Sequence, residues 1–430
     1  MPWSAHLPVS SPRAALAPLF LTVFIDLLGF GLTIPLLPYY ARAHGATAFE
    51  VSLLSTAFSA MQFAFMPLWG ALSDRVGRRP VLLWSVAATA VAMALLGFAR
   101  SYPELVLVRL FQGVTTANVA VAQAYIADVT PPGERARAMG LIGMAFGLGF
   151  ILGPFAGGLL AGVSHAAPGL AAAGLSAANL ALAWRRLPES LPPRDPAAPT
   201  TSTAAAVRDV LVDTLSLRAL RRVMGLPGTA ALAALFFCHV LAFTHLESTL
   251  ALFWCDRFGL TERETGYTFA FVGLVVAGVQ GGAIGPLVRR FGERTLLRAG
   301  LAALAVGMFA TAFLRAPAGV DVSHCSSAVT AWEFVRRMGA AWPVVAVISA
   351  GNALVMPSVS SLASKLAPTG QAGVVLGGQQ SASSLARVLG PALAGLLYQR
   401  VGPGAPYVAA AGGMLIALAL SLRVRAPSAA

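Results

Sequence analysis

Charge is scarce in this chain. Only 11% of its 430 residues are Asp, Glu, Lys or Arg, against about a quarter in soluble domains. With 57% hydrophobic residues and a mean hydropathy of +0.74, too little polar side chain remains to coat a water-soluble body. Soluble enzymes, disordered proteins and nucleic-acid binders are disfavoured on that ground, which leaves a polytopic membrane protein. Cysteine is nearly absent: Cys238, Cys255 and Cys325 are too few and too scattered for a disulfide framework or a metal site. Lysine occurs once, as Lys365, so arginine supplies 29 of the 30 basic residues. Catalytic motifs are missing as well. There is no His-Glu-x-x-His, no convincing Ser/His spacing and no glycine loop followed by Lys-Ser/Thr, so neither an enzyme, a cofactor nor ATP-driven transport is expected.

What is present is a succession of long apolar runs. A bilayer core needs roughly 20 apolar residues in a helix. The first half offers spans at about 14–40, 51–72, 80–99, 104–126, 138–163 and 168–184, and the second at about 227–254, 265–288, 295–314, 341–364, 372–397 and 405–422. The runs are too long and too uniform for barrel strands. Met1 to Arg13 is short and polar with no cleavage site, so the first run reads as a retained span rather than a signal peptide. With an even count both termini share a side. Twenty basic residues fall on that side and eight on the other, so both termini are expected in the cytoplasm. Cys255 and Cys325 then lie outside, where a disulfide between them is open.

The interval 185–226 carries five prolines from Pro188 to Pro199, then Ser/Thr, then a basic stretch from Val207 to Met224 suited to an amphipathic surface helix. It separates a bundle at 1–184 from another at 227–430. The halves echo each other. Gly70-Ala-Leu-Ser-Asp-Arg-Val-Gly77 and Gly285-Pro-Leu-Val-Arg-Arg-Phe-Gly292 are offset by 215, while Leu152-Gly153-Pro154 and Leu389-Gly390-Pro391 are offset by 237. The extra 22 residues fit the outer loop from Arg315 to Ala340. The expected fold is an all-α membrane protein, with twelve transmembrane helices in two pseudo-symmetric six-helix bundles, the arrangement that places a transporter's site near mid-membrane.

Four charged residues lie well inside spans: Asp26, Arg109, Glu247 and Arg387. Each costs about 2.5–3.5 kcal/mol at mid-bilayer, so each needs a partner, a cavity or a task. Glu247 is the first candidate for proton coupling. It lies about 30 Å along its helix from Pro227, and His239, eight residues earlier, falls within about 80° of it on the helix. Asp26 is the second carrier candidate, and Arg109 a cation that competes for either carboxylate. The alternatives are structural: interhelical hydrogen bonds for Glu247, Asp26 and His239, a fixed ion pair for Arg109, and snorkelling or pairing for Arg387. Gln112 and Gln280, away from span ends, and His239 are candidates for the substrate pathway. The series Gly149, Gly153, Gly157 and Gly158 suits close helix packing, and Pro154 inside it removes a backbone hydrogen bond and kinks the span.

Gly70-Ala-Leu-Ser-Asp-Arg-Val-Gly-Arg-Arg79 closely resembles the loop signature between helices two and three of the major facilitator superfamily. The resemblance implies that Gly70, Asp74, Arg75, Gly77, Arg78 and Arg79 form a cytoplasmic gate in which Asp74 latches the halves. Asp26-Leu-Leu-Gly-Phe-Gly-Leu-Thr-Ile-Pro-Leu-Leu-Pro38 is similar to the first-helix motif of the drug/proton antiporter branch. Arg109-Leu-Phe-Gln-Gly113 resembles the fourth-helix motif, whose arginine is implicated in proton coupling. Gly149-Phe-Ile-Leu-Gly-Pro-Phe-Ala-Gly-Gly158 resembles the fifth-helix antiporter motif, found mainly in exporters. Ala124-Tyr-Ile-Ala-Asp128, Glu134-Arg-Ala-Arg137 and Leu187-Pro-Glu-Ser190 are similar to tetracycline-efflux-like proteins. The chain departs from that group at Ala92, where an acid is usual in the third helix, and Arg289 and Glu293 stand where the first half has Asp74 and Arg78.

The resulting expectation is a secondary active transporter that exports a small lipophilic compound or drug in exchange for protons and so contributes to antibiotic resistance. The alternatives are a proton-coupled metabolite importer and a non-transporting membrane sensor. The expected partners are a small-molecule substrate, protons and the lipid bilayer, without nucleic acid. The chain is expected to act as a monomer, multi-pass in a bacterial inner membrane.

Overall fold

The computed structural model describes residues 12–33, 36–130, 135–191, 229–318, 322, 330–366 and 372–424. All regular structure among them is helical: α1 Pro12–Thr33, α2 Leu37–Ala43, α3 Ala48–Val76, α4 Arg78–Phe98, α5 Tyr102–Thr115, α6 Asn118–Val129, α7 Arg135–Ala161 and α8 Ala167–Arg186. These are followed by α9 Thr229–Phe258, α10 Glu262–Gly278, a π turn Val279–Ala283, α11 Ile284–Phe291, α12 Glu293–Phe313, α13 Ala331–Met338, α14 Ala341–Leu366, α15 Ala372–Arg400 and α16 Ala405–Arg423. Ten helical stretches among the described residues are long and apolar enough to cross a bilayer. With α7 and α15 the rods number twelve, each within a few residues of its expected place. The amphipathic helix expected at Val207–Met224 and the phrase beginning at Glu134 lie outside the described residues, wholly for the first and in part for the second.

Three rods are interrupted rather than continuous. The first rod ends as α1 at Thr33 and resumes as α2 at Leu37, with Pro38 in the first turn of α2, where a missing backbone donor is tolerated. The fourth rod breaks at Thr116 and Ala117. Thr116 Oγ1 donates to the Gln112 carbonyl at 2.6 Å, so the side chain competes with the helical ladder. The freed backbone groups are taken up by neighbours: Trp69 Nε1 donates to Val114 O at 2.5 Å, Ser85 Oγ donates to Thr115 O at 2.7 Å, and Ala117 N donates to Ser85 Oγ at 2.9 Å. That accounting is what lets a helix break inside an apolar bundle. The eighth rod changes pitch at the π turn, which carries Gln280.

The chain divides into two compact units, one of Met1–Ile34 with Ala60–Ser216 and one of Pro35–Ser59 with Leu217–Ala430. In the first, α1 packs on α7 and α8, and α4 on α8; in the second, α9 packs on α15 and α16, and α12 on α16. The same pairings recur with the second set of helices. Large apolar side chains such as Trp84, Leu107, Val306 and Phe313 are exposed on the rods, as lipid-facing surfaces require. Pro35–Ser59 joins the second unit through specific bonds. Tyr39 Oη lies 2.6 Å from Thr265 Oγ1, and Arg42 Nη2 donates to Asp256 Oδ2 at 3.1 Å. Tyr398 Oη donates to the same Asp256 oxygen at 2.7 Å. Cys255, next to Asp256, is disulfide-bonded and Cys238 is free; Cys325 lies outside the described residues.

Candidate functional site

In the second unit the structure pairs two of the four in-span charges. Arg387 Nη1 of α15 donates to Glu247 Oε2 of α9 at 3.0 Å. Pairing offsets the expense of each charge in an apolar setting. The side chains keep 28% exposure at Glu247 and 44% at Arg387, so the pair is only partly buried. His239 is buried, with ring centroids of Phe236 and Phe243 at 6.3 and 6.1 Å, and its Nδ1 has no hydrogen-bond partner. His245 Nδ1 instead lies 2.8 Å from the Leu241 carbonyl, which fixes the proton on that nitrogen. Gln280 Nε2 reaches Ala353 O at 3.5 Å from the π turn.

The first unit holds the other two charges. Asp26 of α1 is buried, and Asn118, the first residue of α6, lies beside its carboxylate, in reach though outside hydrogen-bond geometry. The break before α6 leaves a helix N-terminus there, whose dipole favours negative charge. Arg109 of α5 is buried. It donates through Nη1 to Gln112 Oε1 at 2.8 Å and lies 6.0 Å from the ring centroid of Phe30, one turn along α1 from Asp26. Gln112 in turn points its Nε2 at the Met93 sulfur, 3.6 Å away. Arg109 and Gln112 thus form one buried polar group next to the fourth-rod break.

Gly70, Asp74, Arg75, Gly77, Arg78 and Arg79 span the junction of α3 and α4. Gly77 has φ +105°, a conformation that glycine alone adopts readily. Arg78 is buried. It pairs with Asp74 one turn back, donates through Nε to Asp128 Oδ2 at 3.0 Å and through Nη1 to Ser73 Oγ at 2.6 Å. The Glu189 carboxylate accepts from the backbone N–H of Arg78 at 2.9 Å and of Arg79 at 3.1 Å, capping a helix that has no cap of its own. Ser190 Oγ completes the knot on Asp128 at 3.0 Å, and Tyr125 Oη donates to Pro188 O at 2.9 Å. The loop signature, Ala124–Asp128 and Leu187–Ser190 therefore converge on one cluster.

The glycine series of α7 has an equally definite neighbour. A Cβ on Gly153 would lie 2.7 Å from the backbone of Gly31, and one on Gly149 2.9 Å from Leu27 Cβ; Gly157 abuts Leu32. The stripe exists so that α1 and α7 can touch backbone to backbone beside Pro154; Gly158 is buried in the same helix. Sequence reasoning did not single out Arg387 as the partner of Glu247, nor Asn118 beside Asp26, nor Glu189 as the cap of α4. The last was visible as an acid in Leu187–Ser190. The other two depend on which spans are neighbours.

Comparison with known proteins agrees with this architecture. The Major Facilitator Superfamily matches residues 19–388. The chain is 32% identical over 380 residues to the class C tetracycline resistance protein of Escherichia coli, covering 88% of each. It is 30% identical over 450 residues to major facilitator superfamily domain-containing protein 10 of Bos taurus, covering 96% of this chain and 93% of that protein. The crystal structure of the human organic anion transporter MFSD10 (TETRAN) superposes with a TM-score of 0.71 at 28% identity, covering 95% of this chain and 99% of the other. Twelve helical rods, a repeated pairing within two units and a match along most of the sequence have one reading: this chain is a multi-pass, non-enzymatic membrane transporter belonging to the Major Facilitator Superfamily.

Proposed function

We propose that this transporter exports a small lipophilic organic compound in exchange for protons, with Glu247 as the principal proton carrier and Asp26 as a second. The observation that carries the reading is the Glu247–Arg387 pair: an acid and a base on two apolar rods, 3.0 Å apart and partly open. Protonating Glu247 cancels its charge and releases Arg387; losing the proton restores the pair. Such a pair has two charge states of different geometry, which is what coupling requires. Arg109 and Gln112 give the first unit a fixed polar group near Asp26. The knot around Asp74 and Arg78 lies on the side read as cytoplasmic and holds its helix ends together there. The glycine–proline stripe of α7 supports export, because the resembling motif belongs mainly to exporters.

A second reading of the substrate has its own support. Arg387 is the more exposed member of the pair, so an anionic group on a substrate would compete with Glu247 for it. One solved relative is described as an organic anion transporter. Everted membrane vesicles carrying an imposed proton gradient test the proposal. Substrate-dependent alkalinisation of an acid-loaded lumen, with substrate accumulating inside, is the expected result; accumulation only with the gradient reversed would assign import.

A further inference from the structure

The first unit contains a nest of polar side chains around Asp26, of which the reading above uses only the carboxylate. Thr22 and Asp26 are one turn apart on α1, and Gly29 follows on the same face. Asn179 Nδ2 of α8 donates to Thr22 O at 2.9 Å, and Ser176 Oγ, one turn earlier on α8, would lie 3.5 Å from a Cβ at Gly29. Asp26 sits between these two contacts and so faces the stretch from Ser176 to Asn179, while Asn118 approaches it from α6. Five oxygens of this nest are buried without a hydrogen-bond partner, Thr22 Oγ1, Asp26 Oδ1, Asn118 Oδ1, Ser176 Oγ and Asn179 Oδ1, as is the Asn118 amide nitrogen beside the carboxylate. The five residues are at most 7% exposed. Protein interiors leave few such groups, because each costs about 1–3 kcal/mol. Four neutral oxygens grouped with one carboxylate call for a ligand.

We propose that this nest binds a dehydrated monovalent cation of sodium size. The charge and the donor set select it. The nest holds a single acid, so a monovalent ion neutralises it, whereas a divalent ion leaves a net charge in an apolar bundle. No nitrogen or sulfur ligand is offered, and no group of three His, Cys, Asp or Glu able to hold a metal occurs among the described residues. Oxygen-only donors suit hard cations. A proton would neutralise Asp26 but leave four neutral oxygens unmet; water would meet those but leave the carboxylate charged. A small cation does both.

The proposal shares Asp26 with the proton reading, so cation and proton exclude one another there. The other charged residues on the helices packed against α1 stand at helix ends: Asp128 on α6, Arg135 and Arg137 on α7, and Arg185 and Arg186 on α8. Arg109 lies 6.0 Å from the ring centroid of Phe30 on α1.

Binding of radioactive sodium to the purified full-length protein, measured by scintillation proximity at alkaline pH, tests this. The expected result is saturable binding that unlabelled sodium and acidification displace and choline does not. Asp26→Asn should weaken it at least about tenfold, Asn118→Ala and Asn179→Ala less, and Glu333→Gln not at all. Monodisperse gel filtration of each variant excludes misfolding, and Asn118→Ala keeps the carboxylate as a folded intermediate case. Absence of saturable sodium binding, or binding retained in Asp26→Asn, overturns the proposal. Proton-driven transport that persists without sodium binding sinks this inference alone; sodium binding without proton-driven transport sinks the proton reading alone.

Discussion

The two units tie down the same helix junction with opposite charges. In the first, Arg78 opens α4 after a positive-φ glycine and is held by Asp128 from the end of the fourth rod. In the second, Glu293 opens α12 after Gly292, φ +76°, and is held by Lys365 from the end of the tenth, with both carboxylate oxygens 2.7 Å from Nζ and Ser361 Oγ at 2.5 Å. Arg78 and Glu293 are related by the offset of 215, Asp128 and Lys365 by the offset of 237. What repeats is the bond, not the sign of its members. The signs have consequences. An acid suits a helix N-terminus, as Glu293 does, whereas an arginine does not, so the first unit adds Asp74 and the Glu189 cap. Lys365, the sole lysine, belongs to the looser version, its side chain 56% exposed against 8% for Arg78.

The largest effect should come from the other repeated feature, the glycine–proline contact. Gly153→Ala drives a Cβ into the Gly31 backbone, whereas Gly390→Ala meets chiefly the Thr244 side chain. We expect Gly153→Ala to destabilise by at least about 3 kcal/mol and to abolish accumulation of folded protein, with Gly390→Ala less damaging. Fluorescence-detected gel filtration of tagged variants ranks them, and an equal loss would break the comparison. Next, Arg78→Ala leaves Asp128 and Ser73 facing an empty site and should cost about 3 kcal/mol. Lys365→Ala, at an exposed pair, should cost about 1 kcal/mol or less. Denaturant titration of purified protein separates these. Gly77→Ala should be worse than Gly292→Ala: both distort a positive φ, worth about 1–3 kcal/mol, but only the first also meets the Glu189 carboxylate. The smallest effect sharpens the idea most. Lys365→Asp should weaken the second unit, and adding Glu293→Arg should restore it by recreating the first unit's polarity. Failure of the double variant to exceed Lys365→Asp in melting temperature would show that the reversed pair does not form without the Asp74 and Glu189 that support it in the first unit.

Much of this was legible in the residues. Twelve apolar runs gave rods within a few residues of their observed ends, because length and apolarity are what the bilayer demands of a helix. The offsets 215 and 237, read from glycines and prolines, also relate the two ion pairs just compared. The break at Thr116 was not legible, since Thr115 and Thr116 interrupt the ladder only with Trp69 and Ser85 in place to satisfy the freed groups. The partner of Glu247 was not legible either. Arg387 reads as a lone cation until α15 packs on α9, and long-range neighbours leave no trace in local pattern. The assignment of Pro35–Ser59 rests likewise on Tyr39, Arg42 and Ser52 finding Thr265, Asp256 and Gly395, contacts far apart in the chain.

Proton coupling is assigned to one acid, Glu247. Reconstituted Glu247→Gln protein should still exchange labelled for unlabelled substrate across the bilayer, because exchange needs binding and reorientation but no net proton movement. It should fail to accumulate substrate when a proton gradient is imposed. Accumulation at the wild-type level, with exchange intact, would contradict the assignment of proton coupling to Glu247.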